Sequence, residues 1–373
     1  MTTMRAARLH DSHSPLRIDD VEVPSLRPTD VLVRVEACGI VPNLANILTA
    51  FDEVAPNGSL PPLPAVFGLD AAGVIEAKGD QVRGMNVGDR VYVNPARYCG
   101  ACRACRAGRT AHCEYYLFNG YFGFTPKSRE MVSDYPHGGL CEYLAAPQYS
   151  LVALPDSVSF EEACRFGYLG TGFRALKKAG VKPGDVVLVN GVSGTLGLGV
   201  ALLTLAMGAG LIIGTGRDAA KLERVKEIAP DRIAVYTKAE ATQSLADYAA
   251  ELTDGVGVDT VVDCLANGSP AEPFLEALAA LGRGGSLVNI GAVGGAVPIT
   301  MHELMEREQH IYGSIWFTTE QAEEMAALAA TGLLNLSHLE HRVFPLEKVN
   351  EAIQTVVKKG NGGFDNFVVN PQL

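Results

Sequence analysis

The pattern of apolar and polar residues changes near residue 180. Before it, segments in which apolar and polar positions alternate, such as 31–35, and turn-then-strand patterns, such as 88–93, are separated by turns rich in Pro and Gly. Alternation of this kind predicts half-buried strands, and Pro and Gly mark the turns between them. The first 150 residues are therefore predicted to be rich in β structure, with irregular loops.

After residue 180, continuous apolar runs alternate with helical patterns. Uniformly apolar strands that alternate with helices predict a doubly wound α/β fold, in which helices cover both faces of a parallel sheet. The predicted strands are 185–190, 211–215, 233–236, 260–264 and 286–290, and the predicted helices are 195–207, 218–228, 240–252 and 271–281. A capping-box spacing predicts another helix at 318–330, and a last helix is predicted at 346–359 and ended by Gly360.

Length and composition narrow the functional classes. A chain of 373 residues suggests two domains, and its 47% hydrophobic residues exclude global disorder. No run reaches about 18 apolar residues, and the N-terminus lacks the apolar core of a signal peptide, so we expect a cytoplasmic protein without a membrane span. The net charge of −11 disfavours nucleic-acid binding, which needs a basic face. A small molecule is the expected partner.

Four of the eight cysteines lie close together, at Cys99, Cys102, Cys105 and Cys113. Four thiolates close a tetrahedral zinc site and leave no position open for substrate, so this spacing predicts one structural zinc. A redox pair is the alternative, but a redox CxxC motif opens a helix in a βαβ unit. The present run is a loop rich in Gly, Ala and Arg, which favours zinc.

A glycine-rich turn separates the first predicted strand of the α/β half from its helix. Gly191, Gly194 and Gly197 would let the backbone approach a pyrophosphate, and the helix N-terminus would supply N–H groups and the positive end of the helix dipole. Close packing of helix on strand is the alternative reason for these glycines. The strand–turn–helix context favours dinucleotide binding.

The end of the second strand favours NADP over NAD. An acidic residue at this point would bind the ribose hydroxyls of NAD, but no carboxylate occurs before Asp218. Gly216 leaves room for a 2′-phosphate, Arg217 can pair with it, and Lys221 can add charge. A solvated helix start is the alternative reading of these two basic residues.

The β-rich half, the four-cysteine segment and the dinucleotide-binding half, in this order, resemble the zinc-containing alcohol dehydrogenases of the medium-chain dehydrogenase/reductase superfamily. Residues 37–40, 68–73, 88–91 and 138–143 also match that family, so the resemblance covers nearly the whole chain. It implies a GroES-like β-rich catalytic domain at 1–167 and 314–373, with a zinc lobe at about 97–115, and a Rossmann domain at 168–313. It also implies hydride transfer from a nicotinamide in the cleft between them, and homodimers or homotetramers that pair through the edge of the Rossmann sheet.

The same resemblance extends the glycine-rich turn to a full cofactor site. Its expected residues come from the turn, the ends of the neighbouring strands and one helix. They are Thr171, Gly191, Ser193, Gly194, Thr195, Leu196, Gly197, Thr215, Gly216, Arg217, Lys221, Ile290, Gly291 and Ser314.

The ligands of the family's catalytic zinc do not carry over. The three ligand positions are occupied by Val41, Leu69 and Gly167, none of which can bind zinc. Cys38 and Cys164 each lie three residues before a lost position, but a lone cysteine usually packs as a small apolar side chain. We therefore expect chemistry without a second metal.

Other groups must then stabilise the developing negative charge. Asn43 occupies a proton-relay position of the family, Asp70 follows the second lost ligand, and Tyr168 follows the third. We expect these three to be catalytic, with Tyr121 and Trp316 as pocket walls, although core packing or, for Asp70, a pair with an arginine would also explain them.

These expectations indicate an NADPH-dependent oxidoreductase without catalytic zinc. Its hydride acceptor would be an activated C=C, C=N or C=O bond of a small organic substrate. Two alternatives remain open at this point. One is an alcohol dehydrogenase with an atypical metal site, and the other is a non-catalytic NADPH-binding protein.

Overall fold

The computed structural model describes residues 3–51, 58–358, 360 and 362–373. Its strands are β1 Thr3–Leu9, β2 Arg17–Glu22, β3 Asp30–Gly39, β4 Ala65–Val66, β5 Asp70–Lys78, β6 Arg90–Val93, β7 Ala96–Arg97, β8 Leu117–Phe118, β9 Phe122–Gly123, β10 Tyr143–Pro147, β11 Leu151–Ala153, β12 Val186–Asn190, β13 Leu211–Thr215, β14 Ile233–Tyr236, β15 Val258–Asp263, β16 Leu281–Asn289, β17 His310–Gly313, β18 Glu340–Pro345 and β19 Asp365–Asn370.

The α-helices that begin before residue 165 have at most seven residues, and most of those that follow are longer. The helices of the described chain are α1 Leu44–Thr49, α2 Arg103–Arg106, α3 Ser128–Asp134, α4 Phe160–Ala163, α5 Phe166–Ala179, α6 Thr195–Ala206, α7 Ala219–Lys226, α8 Leu245–Leu252, α9 Ala271–Ala279, α10 Met301–Glu306, α11 Thr319–Ala330 and α12 Val349–Val357.

The β-rich half is built on a seven-stranded sheet in which β3 is central. Its order is β11-β6-β5-β3-β19-β18, with β10 also paired to β3. The last strand of the chain, β19, lies antiparallel to β3 and pairs Val369 with Cys38. The C-terminus therefore returns to the first half of the chain, as the resemblance implied, while the exact domain boundaries stay a prediction.

The second half is a six-stranded parallel sheet in the order β14-β13-β12-β15-β16-β17. The order reverses between β12 and β15, and the carboxyl ends of the strands at such a switch point form the usual nucleotide-binding crevice of doubly wound folds. Side chains alternate across β12, so that Val187 and Val189 join one apolar core and Leu188 the other. This confirms the predicted fold class of a GroES-like β-rich part with a Rossmann sheet.

Two predicted helices have different starts from those expected. The helix predicted at 240–252 begins only at Leu245, because the Ser244 side chain accepts a hydrogen bond from the Asp247 N–H and so caps the helix there. The helix predicted at 346–359 opens with a 3₁₀ turn at Leu346–Lys348 and continues as α12. Residue 359 lies outside the described residues. The capping box before α11 forms as predicted.

No helix in the described ranges is long and apolar enough to cross a membrane. The edge strands of the parallel sheet are β14 and β17, and the resemblance implies that two copies pair through an edge of this sheet. The oligomeric state stays a prediction.

Candidate active site

The four-cysteine segment forms a compact ligand set beside α2. The Sγ atoms of Cys99, Cys102, Cys105 and Cys113 all lie within 4.8 Å of one another. Backbone N–H groups already point at these sulfurs, with the Cys102 N–H 3.3 Å from Cys99 Sγ and the Tyr115 N–H 3.3 Å from Cys113 Sγ. Four converging thiolates fit tetrahedral zinc and leave no place for substrate, which identifies the segment as a structural zinc site.

The glycine-rich turn has the shape that a pyrophosphate requires. Gly191 has a φ of +87°, which favours glycine, and a Cβ at Gly197 would overlap the Gly191 carbonyl oxygen. The following helix α6 has no side-chain cap, whereas the Asp218 side chain caps α7. The first N–H groups of α6 are therefore available to an anion.

Other predicted cofactor residues lie at the same edge of the sheet. Thr215 ends β13, Ile290 and Gly291 follow β16, and Ser314 follows β17. The Ser314 hydroxyl is buried and has no hydrogen-bond partner among the described residues, so it can bind a ligand. Thr171 lies on α5, where its hydroxyl donates to the Gly167 carbonyl at 2.9 Å.

Three residues that make polar contacts near the turn, Gly363, Asn190 and Asp263, were missed by sequence reasoning. The Gly363 N–H donates to the Ser193 carbonyl at 2.9 Å, so the C-terminal segment packs on the turn. Asn190 and Asp263 form a buried side-chain pair directly below it, at 2.8 Å. Their positions at the carboxyl ends of β12 and β15 are a signal in the sequence, whereas nothing local points to Gly363.

The end of β13 presents basic side chains next to Gly216. Arg217 is exposed and forms no ion pair within the described part of the chain. Lys221 lies 3.5 Å from the Asp218 carboxylate, which also caps α7. This end of the site therefore carries one negative and two positive side chains.

The three positions at which the resemblance places catalytic zinc ligands differ in their surroundings. Val41 and Leu69 are buried apolar residues. Gly167, in the first turn of α5, faces Asp70: a Cβ built at Gly167 would be 2.5 Å from Asp70 Oδ2 and closer still to Oδ1. The Asp70 carboxyl thus occupies the space that any side chain at position 167 would need.

Asp70 is fully buried and has a single side-chain donor. The Tyr92 hydroxyl donates to Asp70 Oδ1 at 2.6 Å, and Oδ2 has no partner among the described residues. Burial raises the pKa of Asp70 to about 7, and the Tyr92 hydroxyl, the charge of Arg165 and the Gly167 N–H partly offset this rise. The carboxyl therefore holds a proton close to neutral pH.

The alternative in which Asp70 pairs with an arginine is not what the structure shows. Arg165 is buried and keeps its charge at neutral pH, although burial lowers its pKa to about 10. Its guanidinium donates to three backbone carbonyls, those of Thr195, Gly363 and Asp365, at 3.0–3.3 Å. It acts on Asp70 as a nearby charge and was also missed from the sequence.

Tyr168, Tyr121 and Asn43 are brought together near Asp70. Asn46 donates to Asn43 Oδ1 at 3.0 Å, which leaves the Asn43 N–H₂ group to face the Tyr121 hydroxyl and stabilise its ionised form. The Tyr121 hydroxyl is buried without a hydrogen bond of good geometry in the described ranges. Burial and the Asp70 charge raise the pKa of Tyr168, and the Asn43 backbone partly offsets this. Both phenols therefore stay protonated donors.

Trp316 lies in an aromatic cluster. Its indole N–H donates to Asn94 Oδ1 at 3.0 Å, and its ring centroid is 4.4 Å from that of Phe118 and 4.9 Å from that of Phe317. With only 5% of its surface exposed, Trp316 is mainly part of the core. Its role as a pocket wall stays a prediction.

Family models match both halves of the chain. The alcohol dehydrogenase GroES-like domain matches residues 27–156, and the zinc-binding dehydrogenase domain matches residues 195–331. An alcohol dehydrogenase of Geobacillus stearothermophilus is 31% identical over 362 residues, which cover 95% of this chain and 96% of the relative. The chain belongs to the medium-chain dehydrogenase/reductase superfamily.

Further relatives of this dehydrogenase/reductase agree in length and fold. The sorbitol dehydrogenase of Bacillus subtilis is 27% identical and covers 96% of this chain and 95% of its own. The alcohol dehydrogenase structure from Aeropyrum pernix superposes with a TM-score of 0.77 at 27% identity, over 98% of this chain and all of that one. The protein is therefore an NAD(P)-dependent oxidoreductase with a zinc lobe.

Within the described ranges, the four cysteines are the one set of three or more His, Cys, Asp or Glu side chains close enough to share a metal ion. The Cys38 sulfur instead packs against Gly68 and Gly139, where an added Cβ would lie 2.9 Å from it. Burial raises the pKa of the Cys38 and Cys164 thiols, which favours neutral, apolar packing.

We predict one zinc per chain of this dehydrogenase/reductase. Cys105→Ser should lose that zinc and lower the apparent Tm by about 5 °C or more, because the metal closes the lobe. Elemental analysis with thermal melts measures both. Cys264→Ser, which changes a buried cysteine in the parallel sheet, should keep the zinc, and two zincs in the wild type would contradict the prediction.

We predict that Gly167→Ala destabilises the protein by about 1–3 kcal/mol, because the new methyl overlaps the Asp70 carboxyl. In an Asp70→Ala background the same change should cost much less, because the carboxyl is gone. Chemical denaturation of the four proteins of this double-mutant cycle measures the coupling. Equal costs in both backgrounds would show that the two groups do not compete for space.

Proposed function

We propose that the protein is an NADPH-dependent reductase that transfers hydride to an activated C=C, C=N or C=O bond without a catalytic metal. The observation that carries this proposal is the Asp70 carboxyl, which fills the space beside Gly167 where a zinc ligand would lie. Hydroxyl donors cluster beside this carboxyl rather than metal ligands. The family membership supports the coarser part of the proposal, an oxidoreductase with a nicotinamide cofactor.

The cofactor supplies a hydride when it is bound. The uncapped N-terminus of α6 and the glycine-rich turn would hold its pyrophosphate. Thr171 on α5 and Ser314 after β17 are further candidate cofactor contacts, and the buried Ser314 hydroxyl has no hydrogen-bond partner among the described residues. Arg217 and Lys221 favour a 2′-phosphate at the far end.

Tyr168 and Tyr121 are suited to stabilise negative charge on the substrate. When hydride reaches the β-carbon of an enone, the C=C electron pair moves to the carbonyl and forms an enolate oxygen. Two protonated phenols and the Asn43 amide are fixed donors for such an oxygen, as in an oxyanion hole. Each preorganised donor that hydrogen-bonds the developing negative charge lowers the free energy of the transition state by about 3–4 kcal/mol.

Asp70 is placed to supply the proton that completes the reduction. Burial, and after it the Asp70 charge, raises the pKa of the Tyr168 phenol, which is consistent with the two groups lying near one another. Tyr168 would pass a proton to the enolate or alkoxide and recover one from Asp70, which ends as a carboxylate facing Arg165. Together with a hydride that a bound cofactor would supply, this proton would complete a two-electron reduction of the bond.

Substrates that need little polarisation suit this site best. An enone spreads the developing charge over a conjugated system, and an iminium carries its own positive charge, so neither needs a Lewis acid. The relatives named as alcohol and sorbitol dehydrogenases support a C=O substrate as the third class. Reduction rates measured with enones, cyclic imines and ketones would separate these substrate classes. The zinc content of the same protein would be determined in parallel.

We expect a preference for NADPH that depends on Arg217. Arg217→Gln should raise the KM for NADPH about tenfold and leave that for NADH unchanged, because the guanidinium pairs only with the 2′-phosphate. Steady-state kinetics with both cofactors measures this. Lys226→Gln, at the other end of α7, is the matched control. Tighter binding of NADH by the wild type would contradict the assignment.

We expect the reduction rate to fall as the pH rises through about 7, because Asp70 must start protonated and its pKa is raised to that value. Tyr92→Phe removes a donor that stabilises the ionised carboxyl, so the fall should move to higher pH. Asp70→Asn should abolish the fall in rate with rising pH. Tyr168→Phe should lower kcat at every pH. The readout is kcat/KM for an enone between pH 5.5 and 9.

Tyr248→Phe on α8, far from Asp70 in the parallel-sheet half, is the control for loss of a phenol. If the rate falls over the same pH range in Tyr92→Phe as in the wild type, Asp70 is not the proton source. NADPH binding without turnover on any substrate class would favour a non-catalytic protein, and a second zinc would favour an atypical alcohol dehydrogenase.

A further inference from the structure

Asp263 ends β15 at the centre of the nucleotide crevice and touches several cofactor-binding segments. Its carbonyl accepts hydrogen bonds from the N–H groups of Ile290, at 3.0 Å, and Gly291, at 2.9 Å. Its carboxyl is buried and accepts from Asn190 Nδ2 at 2.8 Å. Asn190 directly precedes the glycine-rich turn. The carboxyl therefore lies below the place where the turn would hold a pyrophosphate.

A chain of side-chain hydrogen bonds joins this carboxyl to the turn. The Thr215 hydroxyl donates to Asn190 Oδ1 at 2.7 Å and accepts from the Gly191 N–H at 3.2 Å. The chain Thr215–Asn190–Asp263 thus crosses β13, β12 and β15 at their carboxyl ends. Asp263 Oδ2 has no hydrogen-bond partner among the described residues. A buried carboxylate oxygen without a partner is costly and needs an explanation.

The surroundings of Asp263 contain little compensating charge. Strands β12 and β13 carry no titratable residue, and the Cys264 thiol stays neutral because burial raises its pKa. On β16 the one charged residue is Arg283, at the opposite end, where it donates to the Glu306 carbonyl.

The helices packed on this sheet do not supply a partner either. The acidic residues of α9, Glu272 and Glu276, form ion pairs with the exposed Lys238 side chain, at 2.5 and 2.6 Å. On α5, Lys177 pairs with Glu324 and Arg174 donates to the Trp316 carbonyl. Burial raises the pKa of Asp263 to about 6, and the Asn190 and Leu265 N–H groups partly offset this.

We propose that Asp263 is a positioning residue that couples nicotinamide-cofactor binding to the uptake of a proton. In the free protein at neutral pH, the carboxylate accepts from Asn190 and holds the turn. A bound pyrophosphate adds negative charge close to a carboxylate that forms no ion pair with any described residue, so the complex favours the protonated form. The proposal rests on cofactor binding by the family fold, and it is independent of the substrate and of the missing catalytic zinc.

The sign of the effect follows from linkage. Cofactor binding raises the pKa of Asp263, so affinity is highest below pH 6, falls as the pH rises, and levels off above the raised pKa. A rise of one pKa unit would weaken binding about tenfold across this range and take up about half a proton at pH 6.5.

The test is isothermal titration of the zinc-containing protein with NADPH at pH 6.5, in buffers of different ionisation enthalpy. The slope of binding enthalpy against buffer ionisation enthalpy counts the protons taken up. NADPH carries a 2′-phosphate that itself titrates near pH 6, so the quantity read is the difference between wild type and variant. Asp263→Asn should remove about half a proton of uptake and flatten the pH dependence of Kd.

Two controls separate Asp263 from other carboxyls. Asp259→Asn changes an exposed carboxylate at the opposite end of the same strand, which accepts from the Val186 N–H at 2.8 Å, and should keep the uptake. Asp70→Asn should keep it too. If Asp263→Asn does not fold, Asn190→Ala serves in its place. It removes a donor that stabilises the carboxylate and should move the pH dependence of Kd to higher pH.

The proposal is wrong if Asp263→Asn takes up as many protons as the wild type. It is also wrong if Asn190→Ala does not shift the pH dependence of Kd. Neither result would contradict the proposed reductase function. Loss of uptake in Asp70→Asn would assign the proton to the substrate side instead. A wild type that binds neither NADPH nor NADH would overturn both proposals.

Discussion

The Asp70 carboxyl and a side chain at position 167 cannot occupy the same space, and the substrate side of the site depends on this constraint. Gly167 leaves the volume open, the Tyr92 hydroxyl holds the carboxyl in it, and the buried charge of Arg165 stabilises its ionised form. A buried carboxyl with so few donors keeps its proton to near-neutral pH. The space beside Gly167 is therefore filled by a carboxyl whose pKa is raised.

The C-terminal segment ties this carboxyl to the cofactor turn. Strand β19 pairs with β3 at the end that leads to Val41, and the adjoining Gly363 packs on Ser193. Arg165 donates to carbonyls on that segment and on α6, so one buried cation borders both parts of the site. Buried Asp263 on the cofactor side and buried Asp70 on the substrate side each lack an ion pair within the described residues, so neither carboxylate is neutralised by a direct counterion there.

Much of the fold and part of the site could be predicted from the sequence. Period-2 and continuous apolar patterns indicated the two kinds of sheet, and the cysteine spacing indicated the zinc lobe, because local spacing sets which groups can meet. Exact helix starts were missed where a single cap decides them, as at Ser244. Asn43 and Tyr168 were proposed as catalytic from the family resemblance and Tyr121 as a pocket wall, and the structure brings the three together.

The sequence by itself determined that Val41, Leu69 and Gly167 stand where the family resemblance places catalytic zinc ligands, and none of these side chains has a donor atom. Only the tertiary structure decided what surrounds these positions. Asp70, Tyr92 and Arg165 are separated by 22 residues or more along the chain and meet through sheet pairing and helix packing. Likewise, Thr215, Asn190 and Asp263 form one hydrogen-bonded chain only because parallel strands align their carboxyl ends. Charge and burial act through such distances in space, which local sequence patterns do not contain.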